Sequence, residues 1–207
     1  MRPMIPLAFL ALSGLVAPAE AATSGPATTK LITGPGHGVV RSIDQKEMVV
    51  LMTDGSLMTI ELVPGWTVTL VRTATLADIA SGAEVEIGEA TLADGSSAPV
   101  GVHIFGSGMP ARPHQQTRDP AGKFVVTMGR AATPVSKAAG LDLDLSYSGA
   151  SRHLALAQGV PVLTFDAAPT NQVLPGTPIS LFIGQGPDGT RWASGVAIGD
   201  KGAPPPD

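Results

Sequence analysis

The sequence predicts a mainly β protein made of short strands joined by tight turns. Its 207 residues include 25 glycines and 19 prolines but only 14% charged residues, a composition that favours turns over long helices. The clearest strand pair is KEMVVLMTDGSLMTIEL at residues 46–62, where two alternating apolar runs flank Asp54-Gly55. This dipeptide is favoured in hairpin turns because glycine accepts a positive φ. We therefore expect a β-hairpin here.

Further strand-like stretches on either side of this hairpin complete a five-stranded unit, in which 57–62 and 67–72 count as one strand. The other strand-like stretches lie, in chain order, at 36–45, 67–72, 83–92 and 96–105. Between the second and third of these, ATLADIASG has helical apolar spacing and ends at Gly82, which predicts a short helix. Three strands, a short helix and two strands is the order of the OB-type barrel, a five-stranded Greek-key fold. We predict an OB-like barrel.

A sequence repeat predicts a second barrel of the same kind. The stretch at residues 64–87 is echoed at 158–181 with a constant offset, because Gly65 corresponds to Gly159 and 159 − 65 = 94. We therefore expect tandem OB-like five-stranded β-barrels at 30–106 and 123–200, each with a short helix before its last two strands. Residues 107–122 form a proline-bearing linker, and 201–207 form a disordered tail.

The N-terminus predicts export. Arg2 precedes an apolar stretch at residues 5–16, and small residues follow, so residues 1–21 are expected to be a signal peptide cleaved after Ala21. The apolar stretch is too short to cross a hydrocarbon core, which needs about 20 residues. With no cysteine to carry a lipid, we expect a free periplasmic protein that is not an integral membrane protein.

Charge and aromatic content argue against nucleic acid as a partner. Removing Arg2 and Glu20 leaves 13 − 1 = 12 basic and 17 − 1 = 16 acidic residues, so the mature chain keeps a net charge of −4. Nucleic-acid binding usually draws on a basic surface. OB-like barrels also stack bases on their second and third strands, yet 47–53 and 57–62 contain no aromatic residue. We expect no nucleic-acid partner.

The quoted segments resemble a group of exported bacterial proteins that carry an OB-like domain of unknown function. The similarity rests on GVVRSIDQKEMVVLMTDGS, TLADIASGAEVEIG and ADGSSAPVGVHIF, and covers about residues 36–106. Relatives are sometimes labelled metal transporter permeases, but no apolar run after the signal is long enough to span a membrane. The resemblance implies a fold and a compartment, and it implies no established activity.

Catalytic motifs are missing from the sequence, and no cofactor is indicated. There is no cysteine, no G-x-S-x-G elbow, no phosphate-binding loop and no H-E-x-x-H. A metal site is the more specific alternative, because His103, Met109 and His114 offer nitrogen and thioether ligands suited to copper. Against this, His103 alternates with Val102 and Ile104 and is expected to face solvent.

Two functions remain open. The first is a non-catalytic binding or adaptor protein that recognises an envelope protein or a small ligand. Four arginines near the linker could form its ligand surface, although arginines so spaced are also typical of an ordinary surface: Arg112, Arg118, Arg130 and Arg152. The second is a periplasmic metal-handling protein for copper or another divalent ion.

Overall fold

Nearly all regular structure in the computed structural model is β-strand, which confirms the predicted mainly β class. The structure describes residues 30–31, 36–109, 114–117 and 123–206. The predicted signal peptide lies outside this part of the chain. Within it, no helix is long and apolar enough to cross a membrane. The chain divides into two compact units: unit 1 comprises Met1–Val71 with Ala168–Asp207, and unit 2 comprises Arg72–Ala167.

Unit 1 is a closed ring of five paired strands with short additions. Its strands are β1 (Lys30–Leu31), β2 (Gly36–Ile43), β3 (Glu47–Met52), β4 (Leu57–Ala74, whose last three residues belong to unit 2), β13 (Pro178–Leu181), β14 (Gly184–Gln185) and β15 (Arg191–Gly199). Antiparallel pairs join β2 to β3 and β3 to β4, and a parallel pair joins β4 to β15. Antiparallel pairs then join β15 to β13 and β13 back to β2.

Unit 2 repeats this ring with the same strand directions. Its strands are β5 (Glu84–Thr91), β6 (Ser97–Phe105), β7 (His114–Thr117), β8 (Phe124–Ala131), β9 (Val135–Lys137), β10 (Gly140–Tyr147), β11 (Ala150–Ala157) and β12 (Val162–Ala168). Antiparallel pairs join β8 to β10 and β10 to β11, and β12 pairs in parallel with β6. Antiparallel pairs join β6 to β5 and β5 to β8, and β11 and β12, which follow each other in the chain, together take the place of the single strand β4.

Each ring encloses its own apolar core. In unit 1 the most deeply buried side chains include Met48, Ile60 and Leu181. In unit 2 they include Ile87, Leu143 and Leu145. Side chains alternate between the two faces of a strand, so the inward residues fill the ring and their neighbours form its outer face.

The repeat is present at the predicted offset, but the two units do not coincide with the two repeats. β6 and β15 are equivalent, since 191 − 97 = 94 and 199 − 105 = 94. Yet β6 pairs with β12 of the second repeat, and β15 pairs with β4 of the first. Each ring thus takes its first three strands from one repeat and its last two from the other. The predicted units at 30–106 and 123–200 differ from this division because each predicted unit keeps its own last two strands, whereas the two compact units exchange them.

The predicted short helices are single 3-10 turns at Leu76–Asp78 and Thr170–Gln172. The first is held by Asp78, whose carboxylate accepts hydrogen bonds from the backbone N–H and the hydroxyl of Thr75, both at 2.8 Å. Ile79 then leaves the turn in an extended conformation, with ψ 102°, and its side chain enters the unit 2 core. The apolar spacing that predicted a helix reflects the packing of Leu76 and Ile79 against this core.

The predicted hairpin is confirmed, whereas the predicted linker and tail differ from the structure. The hairpin around Asp54-Gly55 is confirmed, with Met48 opposite Ile60 in the β3–β4 register. The linker prediction is wrong at 114–117, where β7 pairs with β8. The tail is also more ordered than predicted, because Asp200–Gly202 forms a 3-10 turn and the following backbone packs on Gly199, where a Cβ would lie 2.4 Å from a carbonyl oxygen.

One ion pair in unit 2 joins equivalent positions of the two repeats. The Arg72 guanidinium donates to the Asp166 carboxylate, and 166 − 72 = 94. Both side chains are partly exposed. The pair lies where β4 ends and β12 ends.

Candidate functional site

A row of polar side chains crosses the outer face of unit 2. Glu84 of β5 lies opposite Arg130 of β8, which lies opposite Ser146 of β10. Ser146 in turn lies opposite Ser151 of β11. The neighbouring residue Leu145 is buried in the core, so these four side chains project from the other face of the strands. We call these four residues the Arg130 row.

Arg130 is held in place by Glu84. Its Nε and Nη2 atoms both donate to Glu84 Oε1, at 3.1 and 2.8 Å. The other carboxylate oxygen, Oε2, is buried and has no hydrogen-bond partner within the described residues. The Arg130 side chain remains 66% exposed, so part of the guanidinium stays available to a ligand while its position is restricted.

A groove follows the row at the tip of the β10–β11 hairpin. Its volume is about 530 Å³. We call it the hairpin groove, and its lining residues are Arg130, Ser146, Tyr147, Ser148, Gly149, Ala150 and Ser151. The lining thus includes one arginine, three serines and one tyrosine.

The two-residue turn that lines this groove contains a serine in an uncommon backbone conformation. Ser148 and Gly149 have φ values of 46° and 79°, so both occupy the left-handed region used by two-residue hairpin turns. Glycine and asparagine tolerate this region, whereas other residues are strained there by about 1 kcal/mol. At the equivalent turn of the first repeat, only Gly55 of Asp54-Gly55 has a positive φ.

The outer face beside the groove carries ionisable side chains in pairs. Asp144 lies opposite His153, and the Nδ1 to Oδ1 distance is 2.8 Å. Lys137 Nζ lies 3.5 Å from the Asp142 carboxylate. With the pair of Arg130 and Glu84, each described ionisable side chain on this face therefore has a partner of the other sign or a hydrogen-bonding partner.

Arg152 belongs to the other side of the strands. It lies opposite Leu145 and so faces the interior of the ring. Its Nη2 donates to Glu89 Oε1 at 2.8 Å, and the Ser97 hydroxyl lies 3.3 Å from the same oxygen. Glu89 is 2% exposed, and its Oε2 has no hydrogen-bond partner in the described part of the chain.

The four arginines therefore do not form one described patch. Arg112 and Arg118 lie outside the described residues. Arg130 and Arg152 project from opposite faces of the strands, and each is bound to a glutamate. Of the four, Arg130 is the one that lines a groove.

The expectation that His103 faces solvent is wrong. It is buried, its Nδ1 lies 3.2 Å from Glu86 Oε1, and its ring lies 4.7 Å from that of Phe165. Alternation predicts exposure only where the outer face of a strand meets water. Here the outer face is covered as well, because Glu86, Leu163 and Phe165 are also buried.

The three candidate metal ligands are dispersed along the fold. His114 lies opposite Met128, which lies opposite Glu86, which lies opposite His103. Three strand spacings, about 14 Å, thus separate the two histidine backbones. Met109 is a half-buried residue of the turn after β6, and its N–H donates to the Gly106 carbonyl. Among the described residues, no three His, Cys, Asp or Glu side chains are grouped so as to hold a metal ion.

Carboxyl groups with a lowered pKa lie in the turns. Hydrogen bonds from the Ser56 hydroxyl and backbone N–H lower the pKa of Asp54. The same two donors of Ser96 lower the pKa of Asp94. At Asp188 the backbone N–H of Thr190 is the larger cause. These carboxylates stabilise Asp-Gly turns and lie outside the hairpin groove.

Sequence reasoning missed Glu84, Tyr147 and Ser148. The alternating acids of AEVEIGEA and the polar stretch SYSGAS were available as signals, but neither matches a defined motif. Comparison with known proteins adds no homologue: no family model, no curated protein and no solved structure matches the chain. The function must therefore be argued from the groove itself.

Proposed function

We propose that this chain is a non-catalytic binding protein of the cell envelope, built from two OB-like barrels, with its ligand site in the hairpin groove. The OB-like assignment is supported by the strand order within each ring. The third and fifth strands run parallel, as β4 and β15 do, while every other neighbour in the ring is antiparallel. The second ring has the same order.

The observation that carries the binding role is the positioned arginine. Ligand sites are concave and combine apolar surface with a few polar groups whose geometry is fixed in advance. Arg130 has such a geometry because two of its nitrogens are bound to one oxygen of Glu84. Ser146 and Ser151 project from the same face as Arg130, and Tyr147 and Ser148 also line the groove.

An envelope location follows from the sequence rather than from the fold. A positive residue, a short apolar run and small residues before Ala22 support cleavage of a signal peptide. We therefore place the proposed binding event outside the cytoplasm. A metal-handling role stays a prediction, and the arrangement of His103 and His114 does not favour it.

Photo-crosslinking in intact cells tests the proposed site. A photoreactive amino acid is placed at Ser151, which lines the groove, and in a second strain at Leu57. The two positions are equivalent, since 151 − 57 = 94, and both are exposed. We expect defined adducts from position 151 and none of the same adducts from position 57.

Two outcomes would count against the binding role. Adducts that are identical at both positions would indicate non-specific capture, and recovery of unmodified monomer from position 151 would indicate an empty groove. Export itself is checked by N-terminal sequencing of the protein from cells, which we expect to begin at Ala22.

A further inference from the structure

We infer that the hairpin groove binds an uncharged, hydroxyl-rich chain, that is, a neutral saccharide. This inference rests on the proposed binding role and names the chemical class of the ligand. It follows from three properties of the groove: its charge balance, its density of hydroxyls and the strained serine in its turn.

The charge balance argues against an anionic ligand. Arg130 is the cation of the groove, and two of its donors already bind Glu84 Oε1. An incoming carboxylate or phosphate would meet that glutamate's charge at the same guanidinium. Asp144, hydrogen-bonded to His153 on the same outer face, adds a further carboxylate. Coulomb repulsion between like charges at short range therefore disfavours anions here.

The hydroxyls suit a ligand whose groups both donate and accept hydrogen bonds. Serine hydroxyls do both, and the groove has Ser146, Ser148 and Ser151 within six consecutive residues. The remaining guanidinium hydrogens of Arg130 can donate to a sugar oxygen. Tyr147, the single tyrosine of the sequence, also lines the groove, and a tyrosine combines an apolar ring with a polar hydroxyl, which suits a ligand that is polar at its edges and apolar on its ring faces.

The turn geometry adds a separate observation. Ser148 adopts a φ of 46°, where glycine or asparagine would be less strained. Strained residues tend to occur where their side chains are used. In the first repeat, the positions equivalent to the three serines hold Met52, Asp54 and Leu57, so that turn lacks hydroxyls at these positions and serves as an internal control.

Titration with defined oligosaccharides tests the ligand class. The mature full-length protein is titrated with maltohexaose, cellohexaose and chitohexaose, and with polygalacturonate as an anionic comparison, while backbone NMR shifts are followed. We expect at least one neutral hexasaccharide to bind, with shifts centred on residues 146–151. Its affinity should be the same in 50 and 500 mM NaCl, because screening does not act on a neutral ligand.

Variants connect the binding to the groove. We expect Tyr147→Ala to weaken binding of that hexasaccharide at least tenfold and Ser148→Gly at least threefold, while Thr53→Ala in the first-repeat turn leaves it unchanged. Ser148→Gly keeps the turn geometry, so its effect remains interpretable if Tyr147→Ala fails to fold.

The inference would be overturned if none of the three neutral hexasaccharides bound, or if polygalacturonate bound more tightly with an affinity that fell as salt rose. Adducts at position 151 that contain protein but no sugar would overturn the saccharide inference and leave the binding role intact. Absence of any adduct there would remove both.

Discussion

The two rings use opposite chemistry at the same pair of positions. In unit 2, Arg152 binds the buried Glu89 inside the ring. In unit 1, the equivalent residues are Met58 and Ile183, since 152 − 58 = 94 and 183 − 89 = 94, and both belong to the apolar cluster. At these two equivalent positions the interior of the ring thus holds an ion pair in unit 2 and two apolar side chains in unit 1.

A second equivalent pair differs in the same way. Unit 2 buries Glu86 against His103, whereas unit 1 has Ser180 and Ala197 at those positions. Buried ion pairs gain little net stability over apolar side chains of similar size, because desolvating the charges offsets their attraction. The polar character of unit 2 is therefore not required by the ring.

The largest expected change in stability comes from substitutions that test which repeat supplies the last two strands of each ring. Ile87 and Leu181 are equivalent and fully buried, so Ile87→Ala and Leu181→Ala should each lower the free energy of unfolding by about 2–5 kcal/mol. Amide hydrogen exchange locates the damage. Ile87→Ala should accelerate exchange in β10 and β11, and Leu181→Ala should accelerate it in β2 and β3. If Ile87→Ala accelerated amide hydrogen exchange in β3 and not in β10 and β11, the assignment of β5 to the ring of unit 2 would be wrong.

The next effect compares the ion pair with its apolar counterpart. Arg152→Met alone leaves the Glu89 carboxylate buried without its partner and should cost about 2 kcal/mol of stability, less than for a fully buried pair because Arg152 is 31% exposed. The double variant Arg152→Met with Glu89→Ile copies unit 1. We expect it to return to within about 1 kcal/mol of the original protein in urea denaturation. A double variant no more stable than the single one would show that unit 2 requires the charges.

A smaller effect concerns the strained turn. Ser148→Gly should raise the stability of the protein by about 1 kcal/mol, because glycine adopts a φ of 46° without strain. Thermal unfolding measures this gain. Ser56→Gly, in the equivalent hairpin of the first repeat, serves as the control and should give no gain, since Ser56 has no positive φ.

The smallest effect is a loss of stability in acid. Asp54, Asp94 and Asp188 have a pKa lowered by turn hydrogen bonds, whereas in the unfolded chain the pKa is near 3.8. The folded state thus releases these protons more readily. Their contribution is present above about pH 4 and is lost as the pH falls below that value. Urea midpoints measured between pH 5 and pH 3 should fall less steeply in a variant with all three changed to Asn.

The sequence predicted structure that depends on neighbouring residues, and it did not predict how distant segments pair. Asp54-Gly55 predicted its hairpin because the turn depends on two adjacent residues. The exchange of β6 and β15 between the rings could not be predicted, because the contacts that distinguish the rings, such as that of Arg152 with Glu89, join residues far apart in the chain. Burial of His103 was missed because alternation does not reveal whether the outer face is covered.

The candidate site was predicted only in part. Arg130 was singled out by its charge, but its partner Glu84 lies 46 residues away in the chain (130 − 84 = 46) and on a neighbouring strand. Tyr147 and Ser148 carry no motif. They gain meaning only once the turn brings them beside Arg130 in a groove.

The ion pair between Arg72 and Asp166 constrains which residues the two repeats can carry at this position. These residues occupy the same position of the two repeats and bind each other. A chain made of two identical copies of either repeat would place two arginines or two aspartates there, and like charges repel. A salt bridge at this position therefore requires the two repeats to differ in sequence here, with arginine in one and aspartate in the other.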